Sequence, residues 1–193
     1  MEINDKTKIF ARRNLDKQCF INLFKAAVQD IYPQIKEKYE RETIYGISFE
    51  IANTVCRVYA VDFGTHVYLN TEERYQEAIV DCDEKERGYY RFSAWAEWIP
   101  EIAETELFKE LQKYLLATCL MDDEGEVAEQ IRYWQAEALG QLRVEGFWEQ
   151  QGNPDIQVIP FEGEDEVSAK ELSETYKEMD RGYHDDEYLV YLE

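Results

Sequence analysis

The side chains that most often carry catalysis or bind metal ions are few and widely scattered in this chain. The histidines and cysteines are His66, His184, Cys19, Cys56, Cys82 and Cys119. None of them has the spacing of a zinc site, and no local pairing of a cysteine with a histidine could create an activated nucleophile. The glycine-rich loops that bind nucleotide phosphates and the G-x-S-x-G turn of hydrolases are also missing from the sequence. We therefore predict no cofactor, no metal site and no catalytic residue.

Carboxylates are the one chemically capable residue type in abundance. Pairs that could act as an acid–base couple include Glu72 with Glu73 and Glu97 with Glu101, and 122–124 forms an acidic run. In a chain with 42 acidic residues, chance alone produces such pairs. The run at 122–124 lacks the twelve-residue pattern of a calcium loop. An enzyme that works through carboxylates is therefore only an alternative hypothesis.

Large aromatic residues are concentrated between 89 and 98. Trp95 and Trp98 lie three residues apart, which would place them on one face of a helical turn opened by Ser93. Such residues usually pack in or beside a core. They also dominate the energetics of binding interfaces, so Trp98 is a candidate contact for a partner.

The charge balance restricts the class of partner. The chain has 21 basic and 42 acidic residues, a net charge of −21, and a sequence pI near 4.4. Nucleic acids and anionic membrane surfaces both require a basic protein surface, so we exclude them as partners. A basic protein partner fits, because opposite electric fields accelerate association. The alternative is that the acidity only maintains solubility.

The remaining bulk properties favour a cytoplasmic globular protein. The hydrophobic content of 45% is sufficient for a packed core. We find neither a signal peptide at the start of the sequence nor an apolar run of the roughly 20 residues that a membrane helix needs. Cys19 and Cys119 fall in helical apolar patterns, so we expect buried free thiols in a reducing compartment.

Apolar periodicity locates the elements that would position these residues. The predicted helices cover about 15–40, 70–82, 107–119, 127–146 and 168–179, and the predicted strands cover 45–51, 56–63, 89–92 and 156–161. Asn14 is the expected cap of the first helix, and Pro33 should kink it or start a second helix. Apolar residues alternate with other residues in strand 45–51, so we expect one face of it to be buried. We predict that 56–63 is a central strand that pairs antiparallel with 45–51 and ends at Gly64.

Together these elements predict a single domain covering 1–193, with an acidic C-terminal segment at about 162–193. We expect an α+β fold in which an antiparallel sheet of three to five strands packs against several helices. The helices at 107–119 and 127–146 should form an antiparallel pair, because their connection is short. The C-terminal segment contains 12 acidic and 3 basic residues, so much of the charge excess lies there.

Two short segments connect this layout to a family. Residues 70–73 read Asn-Thr-Glu-Glu, and an aromatic-Ser segment follows at Phe92 and Ser93, with Trp95 two residues beyond. The chain resembles an uncharacterised bacterial family of domains of unknown function with Asn-Thr-Glu-Glu and aromatic-Ser-x-x-Trp segments. In size and architecture this family is similar to the SUKH-type immunity proteins. The resemblance implies a small cytoplasmic binding protein that neutralises a toxin.

The resulting hypothesis is a non-enzymatic acidic protein that binds a basic toxin domain. A regulatory or scaffold module with another partner is the alternative, followed by the carboxylate enzyme. The predicted interface combines dense carboxylates with aromatic anchors. Its residues are Asn70, Glu72, Glu73, Asp81, Asp83, Trp98, Glu164, Asp165, Glu166, Tyr183 and Tyr188.

Overall fold

The computed structural model describes residues 16–40, 44–52, 62–69, 80, 96–99, 105–119, 126–158 and 169–180. The elements in chain order are α1 (Lys17–Lys38), β1 (Ile44–Ala52), β2 (Asp62–Leu69), β3 (Ala96–Ile99), α2 (Glu106–Cys119), α3 (Glu126–Val144), α4 (Phe147–Gln150), β4 (Gln157–Val158) and α5 (Ala169–Asp180). None of the described helices is long and apolar enough to cross a membrane.

The sheet has four strands in the order β3-β2-β1-β4. β1 pairs antiparallel with β2, and β2 pairs antiparallel with β3. β4 instead pairs parallel with β1, through Gly46 with Gln157 and Ile47 with Val158. The predicted fold, an α+β domain with an antiparallel sheet of three to five strands, is therefore wrong, because the sheet is mixed. Helices also dominate the described residues, with α1 and α3 of 22 and 19 residues against strands of 9, 8, 4 and 2.

Two strand predictions need correction as well. The antiparallel partner of β1 is 62–69 rather than 56–63, and it runs through Gly64, which pairs with Glu50. The prediction that only one face of β1 is buried is also wrong. Ile47 and Phe49 are buried, but so are Gly46 and Ser48 on the opposite face. β1 is thus an inner strand covered on both sides, a position that the alternating pattern had not indicated.

α1 is a single amphipathic helix that forms the centre of the core. Asp16 caps it, with its Oδ1 accepting a hydrogen bond of 2.7 Å from the Cys19 N–H. The expected cap, Asn14, lies outside the described residues. Pro33 is exposed and the helix continues through it, so the alternative that a second helix starts there is wrong, while a kink at Pro33 stays a prediction. Cys19 is exposed in the first turn, which contradicts its prediction as a buried thiol.

Aromatic contacts join α1 to the elements around it. Phe24 stacks on Phe20 with ring centroids 5.8 Å apart, and meets Phe49 of β1 and Phe108 of α2 edge-on at 5.8 and 6.5 Å. The Tyr114 hydroxyl of α2 accepts a hydrogen bond from the Asp16 N–H at 2.7 Å and donates to the Asp16 carbonyl at 2.9 Å. Burial, which is the largest influence, raises the pKa of Tyr114. These contacts hold the start and the middle of α1 against α2 and the sheet.

α3 packs mainly against α1 and α5, and makes only slight contact with α2. The helices at 107–119 and 127–146 are confirmed as helices, but they are not each other's main packing partners. On the sheet side, Gln135 Nε2 donates a buried hydrogen bond of 2.7 Å to the Phe49 carbonyl of β1. Gly146 ends α3 with a φ of 73°, a conformation that favours glycine, and this turn directs Phe147 and Trp148 into the core.

Candidate partner-binding surface

Most of the predicted contact residues lie outside the described residues. They are Asn70, Glu72, Glu73, Asp81, Asp83, Glu164, Asp165, Glu166, Tyr183 and Tyr188. The prediction that they form one partner-binding surface therefore stays a prediction. The described residues bear on it in a different way, because they show how some of the positively charged side chains are paired.

Trp98 is the one predicted contact residue whose backbone is described. It lies in β3, in register with His66 of β2, and β3 is a terminal strand of the sheet order. The predicted helical turn at this position is therefore wrong. Since successive side chains of a strand point to opposite faces, the helical argument that placed Trp95 and Trp98 on one face does not apply. The role of Trp98 as a partner contact stays a prediction.

Two lysines of α1 form ion pairs along the seam between α1 and α3, one with a carboxylate of α3 and one with the residue that follows it. Lys17 Nζ lies 2.6 Å from Glu137 Oε2. Two turns further along α1, Lys25 Nζ pairs with Glu145 and also donates to Gln141 Oε1 at 3.3 Å. These two lysines are therefore matched by carboxylates of the same molecule.

Arg143 and Lys36 are used inside the fold, where they bind backbone carbonyls. Arg143 is only 1% exposed, and it donates to the Pro154 carbonyl at 2.7 Å and to the Ile156 carbonyl. Its guanidinium also lies 5.9 Å from the ring centroid of Trp148. Lys36 Nζ donates to the Gln151 carbonyl. Both cations thus hold the turn that leads from α4 into β4, and Arg143 is shielded from solvent.

Tyr32 and Asn153 complete this buried cluster around the turn. Asn153 Nδ2 donates to the Tyr32 hydroxyl at 3.0 Å and to the Ile44 carbonyl of β1 at 2.8 Å. The Tyr32 ring meets Trp148 edge-on, with centroids 5.0 Å apart. Burial raises the pKa of Tyr32 above its ordinary value, although the Asn153 hydrogen bond and the Arg143 charge act in the opposite direction. The hydroxyl therefore stays neutral at physiological pH and serves as a hydrogen-bond acceptor.

Sequence reasoning missed Arg143, Tyr32 and Asn153. Arg143 follows an apolar position near the end of α3, and nothing in the local pattern shows that its head group is buried. Asn153 lies in the turn between α4 and β4, and no role was predicted for it. The signal that could have drawn attention to it is its neighbour Pro154, since an asparagine in a proline-containing turn often binds backbone groups. The long-range partners, however, depend on the fold.

Carboxylates, in contrast, are found at solvent-facing positions of several helices and of the turn after α4. Exposed acidic residues occur on α1, α2, α4 and the following turn: Asp30, Glu37, Glu110, Glu149 and Asp155. Their arrangement is not that of a metal site, since the described ranges contain no group of three or more His, Cys, Asp or Glu residues that could hold an ion. These exposed carboxylates contribute negative charge to the surface of the described residues.

Comparison with known proteins identifies a family for most of this chain. Residues 24–179 match the model of the family described as Domain of unknown function (DUF4303). The match begins within α1 and ends within α5, so the chain belongs to this family. No curated protein and no solved structure shows a significant match. The expectation of an uncharacterised domain family is confirmed at this level.

Proposed function

We propose that this member of the DUF4303 family is a non-enzymatic binding protein of the cytoplasm that neutralises a basic toxin domain. The observation that carries the proposal is the net charge of −21, with 42 acidic residues against 21 basic ones. A charge excess of this size creates a potential that attracts a basic partner over a distance of about 8 Å at physiological salt. Toxin domains that cut nucleic acid are a suitable class, because they need a basic surface to hold phosphates.

The use of charge in the described residues supports this proposal. Lys17 and Lys25 are paired with carboxylates, and Arg143 is buried. Each ion pair cancels one lysine and one carboxylate, so the excess of acidic residues remains outside these pairs. The exposed carboxylates, among them Glu37 and Glu149, contribute to the resulting negative field. Such a surface would compete with nucleic acid for the basic face of a toxin and thereby block its substrate.

The sequence motifs support the same class of function. The Asn-Thr-Glu-Glu segment at 70–73 and the aromatic-Ser segment at Phe92 and Ser93 resemble those of bacterial proteins similar to the SUKH-type immunity proteins. We place the interface at the residues predicted from the sequence, on 70–73, 81–86 and the acidic C-terminal segment. Trp98, Tyr183 and Tyr188 are proposed as its aromatic anchors, because aromatic residues surrounded by polar groups dominate binding energies.

Association kinetics provide the test. A triple variant, Glu164→Lys, Asp165→Lys and Glu166→Lys, is compared with a control triple, Asp30→Lys, Glu37→Lys and Glu110→Lys, which reverses exposed helical carboxylates. Each reversal adds two positive charges, so both variants change the net charge from −21 to −15. Because the two variants have equal net charge, any difference between them reports the position of the interface.

The probes are purified basic nuclease toxin domains, in particular any encoded beside this gene, and the association rate is measured at several salt concentrations. We expect the unmodified protein to inhibit one such nuclease and to associate with it at a rate that falls steeply with salt. The C-terminal triple should slow association about tenfold or more, and the control triple should slow it less. An equal decrease in association rate for both triple variants would show that the C-terminal segment is not part of the interface. Failure to bind or inhibit any basic nuclease domain would overturn the proposed function.

A further inference from the structure

We draw no further inference here: the strongest candidate, the exposed apolar patch of α3 formed by Tyr133 and Val144 on one side of the helix, is interrupted by the buried Gly140, and nothing in the part of the chain that the structure describes shows what covers it.

Discussion

Arg143 and Lys17 are both cations of the helical layer, but they bind their partners in very different surroundings. Arg143 is 1% exposed and donates to two backbone carbonyls of the turn before β4. The Lys17 side chain is 49% exposed and meets a single carboxylate on α3. For the buried Arg143 the alternative to these hydrogen bonds is an unsatisfied polar group, whereas at the α1–α3 seam the alternative is water. The same kind of charge should therefore matter far more in the cluster than in the seam.

The largest effect is expected from Arg143→Met. The variant keeps most of the side-chain volume, but it leaves the carbonyls of Pro154 and Ile156 without these donors. We expect the free energy of unfolding to fall by about 3 kcal/mol in urea denaturation. The control is Lys113→Met on α2, where Lys113 is exposed and a loss below about 1 kcal/mol is expected. Equal losses in the two variants would contradict the importance of burial.

Asn153→Ala should have the next largest effect. It removes the amide that donates to the Tyr32 hydroxyl and to the Ile44 carbonyl, so β1 and α1 both lose a link to the turn. We expect a loss of about 2 kcal/mol in unfolding free energy. Gln150→Ala, which truncates an exposed amide in α4, is the matched control and should change the stability by less than about 0.5 kcal/mol. An Asn153→Ala protein as stable as this control would show that the two hydrogen bonds are not formed in solution.

Tyr32→Phe tests the buried cluster through the pH dependence of the free energy of unfolding. At neutral pH the loss of the hydroxyl should cost about 1 kcal/mol. The pKa of Tyr32 is raised in the folded state, so the unfolded state loses this proton first as the pH rises above about 10. The stability contributed by protonated Tyr32 is thus present below pH 10 and is lost above it.

The measurement is the unfolding free energy of the unmodified protein and of Tyr32→Phe between pH 7 and 11. Above about pH 10 the unmodified protein should lose stability more steeply than the variant, so that the difference between the two narrows. Tyr133→Phe, at a 42% exposed tyrosine, controls for the loss of a phenol and should follow the unmodified protein. A constant difference across this pH range would mean that Tyr32 does not titrate differently in the two states.

The smallest effect is expected at the α1–α3 seam. A double-mutant cycle with Lys17→Ala and Glu137→Ala should give a coupling energy of about 0.5 kcal/mol that shrinks as salt is added. The pair is partly exposed, so water replaces most of what each partner loses. A coupling energy above about 2 kcal/mol that is insensitive to salt would show that the seam behaves like the buried cluster, and the comparison would fail.

Four helices were predicted well, at about 15–40, 107–119, 127–146 and 168–179, because their apolar stripes are local and long. The predicted helix at 70–82 and the predicted strand at 89–92 lie outside the described residues, except for Val80, which is in a turn. The stripe that begins at Phe20 places α1, and the stripes at 107–119 and 127–146 place α2 and α3. The strands were predicted less well. Gly64 was interpreted as a breaker, but β2 continues through it because Glu50 of β1 supplies the pairing partner. Trp98 was assigned to a helical turn, and its placement in β3 depends equally on a neighbouring strand.

The excess of negative charge could be predicted from the sequence, but the arrangement of the charged side chains could not. The acid excess can be read from the composition, and so can the absence of the common catalytic motifs. The engagement of Arg143 with the turn before β4 could not be read in this way, because its partners lie 11 and 13 residues away and a carbonyl has no sequence signature. The predicted contact residues other than Trp98 lie outside the described residues.

The sequence by itself determined the helical stripes and the net charge, because periodicity and charge are properties of neighbouring residues and of their sum. Only the tertiary structure decided that β4 pairs parallel with β1 and that β1 is covered on both faces. It also decided that Arg143 is a buried donor rather than a surface charge. These outcomes depend on long-range contacts between backbone groups. Donors and acceptors that are distant in the sequence form hydrogen bonds only after the chain has folded.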